Sequence, residues 1–324
     1  MNSKKRLPPL LALAFAVSNA QAALHDRGEG MIYDDALNIT WLQSANYAKA
    51  EFAANPNRIA EIVDAANAKG GVAGRTLTPQ DFKPASGQMT WYGATAWADQ
   101  LVYGGFSDWR LPHTPQPDPT CLTQDEELGI SHGYRCRGSE MGHLYYVDFA
   151  NFTPGTLLNG NRVTSGGIEF KGIGVFYWSD APYAPLADNS WFFNFQGFQG
   201  ANASYATDYF AWGVRDGDVL PEVSIDRARW RARSGLMTVT GRLKFSPAFS
   251  ASKRRELRDT RRITIVDAAS GTPIALDIQV RRDNTWRAVF AADSAAVACS
   301  VKADFGGKMS GAIPVNRAPQ YCAP

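Results

Sequence analysis

Histidine and cysteine are scarce, with four of each in 324 residues, and no G-x-S-x-G nucleophile elbow occurs. The histidines, His25, His113, His132 and His143, have no recognisable nucleophile beside them, which argues against a serine-type hydrolase. His143 sits among aromatics, where a structural role is favoured over that of a general base. No D-x-[DN]-x-[DN]-G calcium loop is present, and after the first 22 residues no apolar run approaches the roughly 18 to 20 residues of a membrane span. Nor is there an apolar tail before Ala323-Pro324, so no C-terminal anchor is expected.

What is present begins with Lys4, Lys5 and Arg6, an apolar run from Leu10 to Val17, and Ala20-Gln21-Ala22. This reads as a secretory signal over residues 1–22 that is cleaved before Ala23, giving a periplasmic or extracellular protein. In such a compartment four cysteines form disulfides, and Cys121 with Cys136 and Cys299 with Cys322 each close a short loop. Each loop contributes about 3 kcal/mol in the chain-entropy picture. A zinc site on the first pair with His132 and His143 is the competing arrangement, but its spacing matches no common zinc pattern.

The net charge of +2 conceals a division. Residues 23–220 carry 12 Lys and Arg against 22 Asp and Glu, whereas residues 221–324 carry 18 against 9. Aromatic content changes at the same place, so two domains are expected, 23–220 and 221–324.

In the first, Met31 to Tyr33 and Ile39 to Leu42 form a hairpin, and Ala45 to Ala68 gives one or two helices broken at Asn55-Pro56. A polar link from Gly70 to Gly87 leads to an amphipathic helix that buries Ala94, Trp97, Ala98, Leu101 and Val102, with Thr90 as N-cap and Gly104-Gly105 as its stop. In Asp108-Trp109-Arg110-Leu111-Pro112 the tryptophan fills core and the flanking charges satisfy nearby polar groups. A short helix near Met141 packs Met141, Leu144 and Tyr145 inward. Strands follow at Val175 to Ser179, at Ser190 to Phe195 with Trp191, Phe193 and Phe195 on one face, and at Tyr209 to Arg215. The loops between these strands carry Asp180, Tyr183, Asp188, Asn189, Phe198, Asn202, Tyr205 and Asp208, the candidate ligand residues.

Six motifs in order are Tyr33-Asp34-Asp35 with Thr40-Trp41-Leu42, the helix with Trp91, Ala94 and Trp97, Gly105 to Pro112, Gly138 to Tyr146, Tyr177-Trp178-Ser179, and Ala211 to Arg215. Together, over residues 28–218, they resemble the Lcl C-terminal domain-like family of exported bacterial domains. Asp180, where Ser or Gly is more usual, and Gly213, where Ala is common, depart from its pattern. The resemblance implies a C-type lectin-like α+β fold and a link to adhesion and sulfated glycans, with no catalytic residues to carry over. Calcium-dependent sugar sites in such folds pair carboxylates and amides on one loop. Asp180, Asp188, Asn189, Asn202 and Asp208 do not follow such spacing, so no cofactor is expected, with calcium on these residues as the less favoured alternative. The same broad fold includes relatives of the formylglycine-generating enzyme, an oxidase alternative that needs reactive thiols close together.

In the second domain, Leu236 to Thr240, Ile263 to Val266, Leu276 to Val280, Thr285 to Phe290, Cys299 to Ala303 and Ala312 to Val315 read as strands, the third and fourth joined as a hairpin at Asp283-Asn284. They predict an all-β immunoglobulin-like sandwich, similar to small exported bacterial modules with an Ala-Cys-x-Val-x-Ala strand and a terminal Ala-Pro-x-x-Cys. Arg227, Arg229, Arg231 and Arg233 alternate along one extended side, and Arg254 and Arg255 add to the excess, a surface that would attract polyanions. A solvated face balancing the acidic domain is the plainer account. The function expected is non-catalytic binding or adhesion at a cell surface or matrix, through a glycan or another anionic polymer. The alternatives are an enzyme related to the formylglycine-generating oxidase and a structural spacer.

Overall fold

The computed structural model describes residues 23–153, 155–247 and 249–322; the expected signal over residues 1–22 lies outside them. The chain is largely β, with a few helices against the first sheets. No helix among the described residues is long and apolar enough to cross a membrane.

The hairpin Met31–Asp34 and Ile39–Leu42 forms because Asp34 Oδ1 accepts from the backbone N–H of Ala36 and Leu37, an Asx turn, while Asn38 takes a left-handed φ of 54°. Leu24–Asp26 extends this sheet on one side and Val214–Asp216 on the other, so the ends of the first region lie side by side. An eight-stranded sheet runs in the order Phe82–Lys83, Gln88–Met89, Tyr209–Phe210, Phe176–Pro182, Asn189–Asn194, Phe198–Ala203, Ile130–Tyr134 and Thr123–Asp125. The expected strand from Tyr209 to Arg215 is therefore two strands in two sheets. The crossing at Trp212-Gly213 requires close approach: a Cβ on Gly213 would stand 3.0 Å from Leu42 and 3.1 Å from Leu101, and the Trp212 indole donates to Leu42 O at 2.7 Å.

Helices Tyr47–Ala54 and Arg58–Ala68 part at Asn55-Pro56, and the Thr90 hydroxyl caps Trp91–Asp99 by accepting from Gly93 N. Glu51 ties the three together, taking Arg58 at 2.7 Å and the Trp97 indole at 2.7 Å. The third helix ends at Asp99 rather than at the glycines. Gly104-Gly105 instead turns the chain between bridged Tyr103 and Phe106, which leaves Val102 67% exposed where a buried position was expected. Trp109 is buried, Asp108 forms a bidentate pair with Arg215, and Arg110 grips Glu140 and Asp216. Met141, Leu144 and Tyr145 are fully buried. Trp191, Phe193 and Phe195 are buried as expected, and Phe192 between them, on the opposite face, is only 8% exposed because Phe176, Phe198 and Tyr209 pack around it.

In the second region, Glu222–Arg231, Leu236–Lys244 and Thr285–Ala291 form one sheet, and Pro273–Ile278, Ile263–Asp267, Ser300–Phe305 and Lys308–Met309 run in order across another, with Ile313–Pro314 also on Ser300–Phe305. Val223, Ile225, Ala228, Trp230, Met237 and Val239 from the first, with Ile263, Ile265, Val301, Ala303 and Phe305 from the second, are buried in the shared core. The hairpin expected at Asp283-Asn284 is reduced to a turn and the single bridge Val280–Trp286. Asp277, at φ 57°, sits at an irregularity in the strand Pro273–Ile278, which ends two residues before the bridge, and the two arms pair with different neighbours in different sheets. Helix Ala251–Thr260, capped by Ser250, occupies the basic stretch.

Both disulfides, Cys121–Cys136 and Cys299–Cys322, are formed. Where the regions meet, Arg27 donates twice to Asp218, which Lys308 also approaches at 3.2 Å, and Lys253 bridges Glu29 and Glu256. Phe249 packs edge-on against Phe106 at 5.1 Å, so the opposite charges flank an apolar contact.

Candidate ligand-binding face

Strand alternation sends Tyr177 and Phe193 into the core and Phe176 and Phe192 to the opposite face. The register carries this across the sheet, setting Phe192 opposite Gly200, Asn194 opposite Phe198, and Phe198 opposite Tyr134. The result is a row of five rings. Centroid spacings are 4.9 Å for Tyr209–Phe176, 5.9 Å for Phe176–Phe192, 6.2 Å for Phe192–Phe198 and 5.4 Å for Phe198–Tyr134. All but Phe192 are half-buried. Gly200 makes room for them, since a Cβ there would meet Phe198 at 2.8 Å and Phe192 at 3.2 Å. Asn202 Nδ2 donates to the Tyr209 hydroxyl at 2.8 Å and holds the first ring in place.

Beside the row lies a depression of about 310 Å³ lined by His132, Tyr183, Asn189, Trp191, Phe198 and Gly200, with Tyr183 edge-on to Trp191 at 5.2 Å. Of the candidate residues it gathers Tyr183, Asn189 and Phe198. Asn202 supports the row, and Tyr205 is 54% exposed on a neighbouring loop. The acidic candidates are engaged elsewhere or stand apart. Asp180 pairs with His113 at 2.9 Å, its carboxyl raised by burial against that pairing. Asp208 pairs with Lys83 at 3.4 Å, and Asp188 is exposed. None of the three belongs to a cluster of potential metal ligands among the described residues. His132, Trp191 and Phe192 were not among the candidates, although the alternation around Trp191 pointed to that strand.

The arginine stripe exists for three of its four members. Arg227, Arg229 and Arg231 point outward from Glu222–Arg231 while Ala228 and Trp230 between them are buried. Arg233 does not continue it, because the strand ends at Arg231 and the chain turns at Ser234-Gly235. Crowding by Arg317 foremost, then burial and Arg227 and Arg231, lowers the Arg229 value, and none of these arginines has a carboxylate partner among the described residues. Arg254 is spent on structure, donating to the carbonyls of Phe249 and Ser246. Arg255 stands on the helix, beside Arg258, Asp259 and Arg282 around a hollow of about 460 Å³.

A separate polar cluster forms at the end of the first sheet from Asp34 and Asp148, both buried, and the half-buried His143. Burial pushes the Asp148 carboxyl up to about 8, helped by Asp34 and Asp35, and also raises Asp34. It lowers His143, which the Asp34 charge opposes. The Asp118, Cys121 and Cys136 cluster is closed to metal by the disulfide. No cysteine is free for thiol chemistry. Comparison with protein-family models, with curated proteins and with solved structures finds no match to this chain.

Proposed function

We propose that this is an exported, non-catalytic binding protein. Its lectin-like first region would recognise carbohydrate at the aromatic row and its depression, carried beside an immunoglobulin-like second region. The observation that carries the reading is the row from Tyr209 to Tyr134, five rings held at contact spacing on a sheet face. Sugar rings offer C–H faces that pack on aromatic rings, and hydroxyls that need fixed polar groups, here Asn189, His132 and Tyr183. Two disulfides suit an oxidising compartment, and the absence of a free thiol removes support from the oxidase alternative. The test is binding of residues 23–324 to neutral glycans by the native chain and by Phe198→Ala. Loss in the variant supports the row, and equal binding sinks it.

A second reading has its own observation. Arg227, Arg229 and Arg231, unpaired on one sheet face, would hold a sulfated or phosphorylated polymer. Retention on such a polymer that falls steeply with salt and disappears in the triple alanine variant supports it. If neither ligand class is retained, both readings fail and a protein partner or the enzyme alternative moves to the front.

A further inference from the structure

We infer that Asp34, His143 and Asp148 form a binding site for a divalent first-row transition-metal ion, independent of the glycan face. Asp34 ends the strand Met31–Asp34, His143 ends the helix Glu140–His143, and Asp148 ends the five-residue π turn that follows, Leu144–Asp148. The wide turn brings residues five apart onto the same side, and such turns often occur at functional sites. The nearest His143 Nε2 to Asp148 Oδ2 distance is 3.9 Å, and one ligand atom from each residue lies within 4.8 Å of the other two.

These atoms have no other employment. Asp34 Oδ2, His143 Nε2 and Asp148 Oδ2 are all buried without a hydrogen-bond partner among the described residues, and the Asp34 and Asp148 residues are 0% and 5% exposed. Unpartnered buried polar atoms are costly, and three that converge are the arrangement a cation would satisfy. The Asx turn uses Asp34 Oδ1, which fixes Oδ2 toward the cluster. No lysine or arginine pairs with Asp34 or Asp148 among the described residues, so no side-chain cation stands in for the ion. The Trp41 indole, which favours the Asp34 carboxylate and has no hydrogen-bond partner of its own, is placed as an outer donor. Asp148 also borders a depression of about 320 Å³ with Ala23, Leu24, Val147 and Thr164 to Gly166, which gives an ion a way in.

Two carboxylates and an imidazole suit zinc, manganese or ferrous iron, whereas calcium takes six to eight oxygens. The test is calorimetric titration of chelator-treated residues 23–324 with Zn²⁺ and Mn²⁺ alone, with no glycan. The expected result is one equivalent of tight binding. Asp148→Asn or His143→Gln should weaken it by about 100-fold or more, beyond what loss of an outer partner costs. His113→Gln, outside the cluster, should leave it unchanged. Asp34→Asn keeps the Oδ1 acceptor of the Asx turn and gives a second carboxylate variant should Asp148→Asn fail to fold. No binding near one equivalent, or binding that persists in the His143 and carboxylate variants, would overturn the site. Because no sugar is present, either result is distinct from success or failure of the glycan reading.

Discussion

The first region leaves rings on a sheet face and the second leaves arginines, by the same device of period-two alternation over a buried core. The physical consequences differ. Attraction to the arginines is long-ranged and screened within about 10 Å at 0.1 M salt, whereas ring packing acts only at contact and is little affected by salt. On the proposed reading, the arginine face would capture at long range and the ring face would recognise shape at contact. The acidic excess of the first region and the basic excess of the second partly consume each other where Lys308 meets Asp218 and Lys253 meets Glu29.

The comparison breaks most severely if the frame of the first region is removed. Trp212→Ala empties a fully buried site in contact with Trp41, Phe170, Tyr177 and Phe195, and should cost about 3–5 kcal/mol in a denaturant titration. Asp218→Ala strands Arg27 in the seam without its partner and should cost about 3 kcal/mol. Its unfolding curve also reports on coupling, since a joined pair of regions loses stability together. Phe198→Ala should reduce neutral-glycan affinity by about 1 kcal/mol, roughly fivefold, at low and high salt alike. Replacing Arg227, Arg229 and Arg231 by alanine should lower the salt needed to elute the chain from a sulfated matrix and leave neutral-glycan binding intact.

The smallest effect is one of acidity. Burial tends to raise the Asp81 carboxyl, but the Thr78 N–H, the Thr90 hydroxyl and Arg75 outweigh it and hold it below the ordinary value. A lowered folded value means the contribution is fully present above the unfolded value near 4 and is lost as pH falls through the lower one. Asp81→Asn should therefore flatten the stability profile below pH 4 and leave it unchanged in slope near neutrality.

Local signals were readable from residues alone. Thr90 as a cap, the break at Asn55-Pro56, the turn after Asp34 and the pairing of cysteines each depend on neighbours in sequence. The row of rings was not readable, because it depends on the register that sets Phe198 beside Tyr134 and on Tyr209 reaching Phe176 from a strand parallel to it. Helix Ala251–Thr260 was hidden by its charge, since only Lys253 and Leu257 of its ten residues are buried. Aspartates in turns looked like ligands, yet Asp180 and Asp208 found basic partners that lie far away in sequence.

The most direct test is a glycan array read at low and physiological salt with the native chain, Phe198→Ala and the triple arginine variant side by side. The account predicts neutral-glycan binding that survives salt, persists without the three arginines and falls in Phe198→Ala. Neutral-glycan binding that is absent, or that is undiminished in Phe198→Ala, would contradict it.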